Sequence, residues 1–452
     1  MSQHNQNRDQ AHRQTKTRKE WEPRNLGGPG GTGPAATAPG GFVHGVRAFQ
    51  HRDYRIFFVG ALISNTGNWL QNLAVPYVLF ELTNRSLWVG LAGFAQFIPA
   101  FLLGPLGGSL ADRFDRRRIL LITQSLMALA GLLLWLVWAV GWHNPWLILS
   151  ITALTGVCSG LMIPSWQAFV PSLVPKSDLT SAITLNSTQF NASRAVGPAL
   201  AGALLATAGP GAAFLLNGVS FLAVIIGLYL IRVRPPKAPS TVPQGVIAGF
   251  RSAIGYMQRR TGILISAGCA MLVAFFGNPI TQFTVVFADI VYESGPRVLG
   301  LLAAAVGIGA VVITPFLTSW DTRLSRSTTV RAGMLIYALA VIGFGVAPSW
   351  PFGLAALLVM GGGFLAVIAP TNTAVQLIVA DSMRGRVMSA RVMSFTLAFP
   401  VGSLIQGALS DVWGPQVTVV ASGSILLAFA LYLATHPRLL ATLDREDDTP
   451  DR

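Results

Sequence analysis

Gly108-Ser109-Leu110-Ala111-Asp112-Arg113-Phe114-Asp115-Arg116-Arg117-Arg118 packs two carboxylates and four arginines between two apolar runs, 87–110 and 119–140. Each run is long enough to cross a bilayer, so the charged patch reads as a short loop at a membrane surface. Basic loops occur on one side of any membrane protein, and that alone accounts for the arginines. It does not account for Gly108, placed four residues before Asp112 in a close helix pair.

Composition agrees with a membrane-embedded chain. The 452 residues are 52% hydrophobic and 11% charged, with a mean hydropathy of +0.55, whereas a soluble domain carries about a quarter charged residues. The net charge of +14 would suit nucleic acid only if the basic residues formed one face. Instead, nine of the 32 fall in the first 55 residues and most others in short loops on alternate sides of the apolar runs. That is the positive-inside distribution, and it excludes nucleic acid as the expected partner. Cys158 and Cys269 each lie within an apolar run and read as small buried hydrophobes.

Twelve apolar spans can be counted: 56–80, 87–110, 119–140, 146–170, 180–207, 211–231, 262–288, 298–319, 330–347, 350–379, 388–411 and 416–435. The loops after even-numbered spans hold Arg113, Arg116, Arg117, Arg118, Lys176, Arg232, Arg234 and Lys237, then Arg323, Arg326, Arg331, Arg384, Arg386 and Arg391. The opposite loops hold Arg85 and Arg297, so both termini are expected on the cytoplasmic side. The expected organisation is a basic tail over 1–50, a first six-helix bundle over 51–232, a linker over 233–261, a second bundle over 262–436 and a tail over 437–452. Gly27–Gly41 has the composition of a flexible linker. Within the second linker, Ile247, Phe250, Ile254 and Met257 share a helical face, which predicts an amphipathic helix at the membrane surface.

The halves repeat one another. Gly197-Pro198-Ala199-Leu200-Ala201-Gly202 is echoed by Gly402-Ser403-Leu404-Ile405-Gln406-Gly407, and Gly209-Pro210 by Gly414-Pro415, both at an offset of 205 residues. Gly90 and Gly300 stand 210 apart, and Ser319-Trp320-Asp321-Thr322-Arg323 is a decayed copy of Ala111-Asp112-Arg113. Two such repeats place a substrate site at their interface, near the bilayer midplane.

The pattern G-x-x-x-D-R-x-x-R-R over Gly108–Arg117 resembles the signature of the major facilitator superfamily. Gly67-Asn68-Trp69-Leu70-Gln71, Phe80-Glu81-Leu82-Thr83, Gln96-Phe97-Ile98-Pro99 and Asn191–Pro198 are similar to its transmembrane secretion effector branch, which includes enterobactin, macrolide and other drug exporters. The resemblance covers residues 47–436 and implies an all-α membrane protein of twelve transmembrane helices in two pseudo-symmetric six-helix bundles. It implies a conformational switch at Gly108, Asp112, Arg113, Arg116 and Arg117, with Asp112 meeting the eleventh helix when the transporter faces outward. It also implies an antiporter-like motif at Gly197, Pro198 and Gly202, next to Arg194 in mid-helix. A charge at that depth needs a carboxylate, a carbonyl or a wet cavity.

Polar stripes at helical spacing outline a candidate path: Asn65, Asn68, Trp69 and Asn72; Trp166 and Gln167; Asn186 and Gln189; Asn278 and Gln282; Asn372 and Gln376. Interhelical hydrogen bonding is the competing reading for each. Asp289, Glu81 and Arg194 are the proton-coupling candidates. No nucleotide-binding loop is present, the six histidines are scattered, four of them by residue 51, and neither a cofactor nor a metal is expected. The expectation is a monomeric, proton-driven exporter of a small amphipathic molecule and not an enzyme; import, or a transport-dead sensor or scaffold, are the alternatives.

Overall fold

A computed structural model describes residues 46–232, 246–320 and 324–444. The tail over 1–45, the linker over 233–245, Asp321 and Arg323 of the decayed repeat, and the last eight residues lie outside it. Among the described residues the secondary structure is helical, with no strand.

The first half contains α1 (Arg52–Thr83), α2 (Ser86–Arg113), α3 (Arg116–Ala139), α4 (Pro145–Phe169) and α5 (Leu179–Leu230). A linker helix, α6 (Val246–Gln258), leads to the second half: α7 (Thr261–Leu272), α8 (Ile280–Val286), α9 (Gly295–Trp320), α10 (Arg326–Gly345), α11 (Trp350–Ile378), α12 (Asp381–Trp413) and α13 (Pro415–Thr435). Ten helical segments are long and apolar enough to cross a membrane, with α7 and α8 together forming one of them. One of the ten contains α5, whose 52 residues are interrupted at Gly209 (φ 75°) and supply length for two crossings. With α1, whose amide stripe dilutes its apolar content, the architecture accommodates the twelve spans of the sequence reading.

Local chemistry sets the breaks. Asn84 ends α1 in the left-handed conformation (φ 51°), and the Asn144 side chain caps the Trp146 and Leu147 N–H groups that open α4. Asp115 accepts from the Arg117 N–H at 2.9 Å and so caps α3, a role beyond balancing surface charge. Gly209-Pro210 and Gly414-Pro415 break the chain in the same way: each glycine has positive φ, and each proline opens the next helical limb.

Near its middle the seventh span leaves α-helical geometry. Val273–Gly277 and Phe287–Val291 are π-helical turns on either side of α8. The Asn278 N–H bonds back to the Val273 carbonyl at 2.8 Å, and Pro279 has no N–H to restore the α pattern. Two sequence boundaries shift. Helix α12 begins at Asp381 rather than near 388, so Arg391 is no loop residue but is buried inside the helix. In α6, Ala253 and Met257 form the buried face, while Ile254 is exposed. Residues 437–444, which the sequence assigns to the tail, pack inward through Leu440 and Leu443, and the Asp444 carboxylate accepts from the Ser327 N–H at 3.1 Å.

Candidate functional site

The basic loops of both halves lie at one end of the helices, called here the basic end. At the opposite end the halves are clasped together. Gly202 of α5 faces Gly300 of α9, and Gly407 of α12 faces Ser86, Leu87 and Gly90 of α2. The partners repeat the sequence symmetry: the 197/402 pair packs on the first span of its own half, against Trp69 and Phe275, and the 202/407 pair on the second span of the other half. Small residues let these backbones touch.

A carboxylate reinforces the clasp. Arg85 stands at the N-cap of α2 and has no acceptor to offer. Asp411, from the other half, supplies one: its carboxylate accepts from the Ser86 and Leu87 N–H groups and pairs with the Arg85 guanidinium at 3.2 Å. The Ser410 and Ser86 hydroxyls hydrogen-bond beside it at 3.0 Å.

Toward the basic end the halves part around a cavity of about 960 Å³, which runs from mid-helix. Trp69, Asn72, Gln167, Arg194, Pro198, Asn278 and Gln282 from the candidate set line it. Phe97, Phe101, Phe190, Phe364, Phe395 and Phe399 supply much of the remaining wall. Phe97 and Phe399 meet edge to face across the halves, with centroids 4.9 Å apart. Asn72 accepts a hydrogen bond from Gln96 at 2.7 Å. The π-helical turns aim Asn278 and Gln282 into the cavity, consistent with irregular backbone being tolerated where it lines one.

The other path candidates do not line this cavity. Asn65 donates to Gln189 at 3.2 Å, and Gln189 donates to the Ala61 carbonyl at 3.0 Å, so both tie α1 to α5. Trp166 packs on Phe57, and Asn372 accepts from Arg391 at 3.1 Å. Gln376 is exposed, and Asn68 and Asn186 are partly buried outside the lining. Glu81 and Asp289 also lie outside it; they are exposed at the clasped end, within electrostatic reach of each other, and His143 acts on Glu81 there.

The residues of the expected switch make no hydrogen bond or ion pair across the halves among the described residues. Asp112 is exposed and makes no hydrogen bond or ion pair among the described residues, and Arg113 is likewise exposed. Arg116 donates to the Ala111 and Ala168 carbonyls, and Arg117 to that of Tyr229. Gly108 faces open space; the close approach in α2 is made by Gly107, which packs on Gly160 and Leu161 of α4.

Arg391, which the sequence reading places in a loop, is a structural tie between helices and does not line the cavity. Its guanidinium donates to Ser266 at 3.2 Å, Asn372 at 3.1 Å and Thr371 at 2.9 Å, joining α7, α11 and α12. The Phe wall was missed because phenylalanine facing a cavity reads like phenylalanine facing lipid. Asp411 carried a usable signal: it and Arg85 are charges on a side with few of them.

Residues 44–451 match the family described as Transmembrane secretion effector. The enterobactin exporter EntS of Escherichia coli is 26% identical over 420 residues, covering 88% of this chain and 94% of that protein. The staphyloferrin A transporter of Staphylococcus aureus is 25% identical over 367 residues, covering 80% and 90%. Among solved structures, a bacterial homologue of the human lysosomal transporter Spinster, in an inward-facing and unoccupied conformation, aligns with a TM-score of 0.68. It is 15% identical and covers 87% of this chain and 99% of its own. With its motifs, helical architecture and near full-length match in agreement, the chain belongs to the transmembrane secretion effector family of the major facilitator superfamily.

Proposed function

We propose that this protein is a secondary active exporter of small amphipathic molecules, of the siderophore, drug or secondary-metabolite type, driven by the proton gradient. The observation that carries the reading is the cavity between the halves: about 960 Å³, walled by aromatic rings and amides, and closed at one end by the Asp411 clasp. Such a volume suits a drug-sized ligand. Amides fix its polar groups while the rings take its apolar surface. An enterobactin exporter and a staphyloferrin A transporter among the relatives support a small-molecule substrate, and the first supports export.

In this reading the basic end faces the cytoplasm, with both termini there, and the protein works as a monomer in the bacterial inner membrane. The clasped end faces outward. The cavity takes substrate from inside, the clasp opens, and Asp112 then closes the basic end against the eleventh span. Rocking of one repeat against the other exchanges the two states.

Accumulation measurements test direction. Cells expressing the protein should retain less of a fluorescent amphipathic substrate than cells lacking it, and addition of a protonophore should erase the difference. Greater retention would make the protein an importer, and equal retention across a broad panel of antibiotics and metabolites would remove the transport reading.

A further inference from the structure

Among the residues lining the cavity, Arg194 is the one with a charged side chain; no Asp, Glu, Lys or His joins it. Among the described residues Arg194 makes no ion pair and no hydrogen bond through its guanidinium, which lies 5.6 Å from the centroid of the Phe364 ring. Arg391 provides the internal contrast. That arginine is buried and holds three side-chain acceptors, as an arginine with a purely structural role should. Arg194 has every donor left for something that enters.

The surroundings favour one kind of entrant. Behind Phe364, at a centroid distance of 6.4 Å, sits Tyr337, whose buried hydroxyl has no hydrogen-bond partner among the described residues. A guanidinium offers a planar fork of donors that matches a carboxylate or another flat oxyanion. Removed from bulk water, its field is weakly screened, so an anion is drawn in and a cation repelled. A cationic guest would find no carboxylate on any wall of the cavity. Aromatic rings on both halves, Phe97 and Phe399 among them, then take the guest's apolar body.

We infer that the cavity selects aromatic or amphipathic organic anions, with the acid group seated on Arg194. This rests on the reading of the cavity as the substrate site and specifies its ligand.

The test uses the full chain in lipid nanodiscs and three probes of one shape: naphthoate, its methyl ester and naphthylmethylamine, with empty nanodiscs subtracted. Naphthoate should bind about tenfold or more tightly than either of the others. Arg194→Gln should remove that preference, and Arg194→Lys should keep part of it. Should Arg194→Gln fail to fold, Gln282→Glu places a carboxylate in the same cavity with Arg194 intact. It should weaken naphthoate and strengthen the amine by about tenfold each. Failure of naphthoate to bind, equal or tighter binding of the ester or amine, an unchanged preference in folded Arg194→Gln, or an unchanged order in Gln282→Glu overturns the assignment. Binding here does not depend on transport. Naphthoate selectivity without cellular efflux would sink the exporter reading and leave this one standing, and efflux without acid selectivity would do the reverse.

Discussion

Gly202 and Gly300 stand so close that a Cβ on Gly202 would lie 2.4 Å from the Cα of Gly300, and one on Gly300 would lie 2.7 Å from the Cα of Gly202. The two belong to different halves, so their contact is possible only while the far end is shut.

Alanine at either position should therefore bias the protein against this state. Overpacking of such a contact costs about 1–3 kcal/mol, enough to move the conformational balance roughly 5- to 150-fold. Ser86→Cys with Ser410→Cys supplies the readout, since the parent hydroxyls are 3.0 Å apart at the same end. Adding Gly202→Ala should slow formation of that disulfide and cut transport. Unchanged cross-linking would mean that the helices separate elsewhere.

The Asp411 clasp should behave as a weaker version of the same lock. Its ion pair with Arg85 is exposed and contributes under about 1 kcal/mol, while its acceptance of the α2 N–H groups contributes about 1 kcal/mol. Asp411→Ala, which removes every acceptor, should open the far end, reducing the cross-linked fraction by about three- to thirtyfold at matched expression. A larger effect than Arg85→Ala is expected, because the backbone contacts survive in the latter.

Asp112 makes opposite demands. It is exposed and without an ion pair in this state, so Asp112→Asn should leave Ser86–Ser410 cross-linking intact or raise it. Transport should nevertheless fall severely, because the proposed outward-facing contact is lost. Wild-type transport by a correctly inserted Asp112→Asn protein would remove Asp112 from the switch.

Arg391 should matter for stability before it matters for transport. Replacing it with alanine deletes three hydrogen bonds to a charged group and empties the space it fills. A loss of about 3 kcal/mol or more is expected, read as a lower unfolding temperature and reduced yield in detergent. Arg391→Lys, which reaches fewer acceptors, should fall between the two.

Proton coupling can be located by subtraction. Glu81 and Asp289 lie outside the cavity and interact electrostatically at the clasped end. If either carries the proton, Glu81→Gln or Asp289→Asn should abolish uphill transport and flatten its pH dependence while leaving exchange intact. Unchanged concentrating power in both variants would move the coupling site elsewhere, and persistence under a second ion gradient would change the coupling ion.

Much of this was legible in the chain. Apolar runs of bilayer length, Gly-Pro breaks at a constant offset, and the charged patch after the second span led directly to the helices and their two-fold repetition. The same repetition anticipated that Gly202 and Gly407 would do equivalent work. The cavity was read less completely. Helical periodicity shows which residues share a face, but not whether that face meets a cavity or another helix. Asn65 and Gln189 satisfy each other, whereas Asn278 and Gln282 point into the cavity, and all four look alike in sequence. The π-helical turns escaped because they depend on how one proline redirects neighbouring hydrogen bonds. Arg391 escaped because an arginine near an apolar boundary resembles a loop residue until the helix start is known.

A cavity whose charge is that of Arg194 alone also has an electrical consequence. With a monoanion seated, the binding site is neutral; empty, it carries one positive charge. Whichever limb of the proposed cycle moves charge across the bilayer feels the membrane voltage: export of a monoanion sends one negative charge outward, and each proton entering in exchange carries one positive charge inward. In a cell with a negative interior each such charge moves downhill by about 2.3 kcal/mol per 100 mV. A rest voltage would then load the exporter's cycle in the outward direction even where no pH difference exists across the membrane.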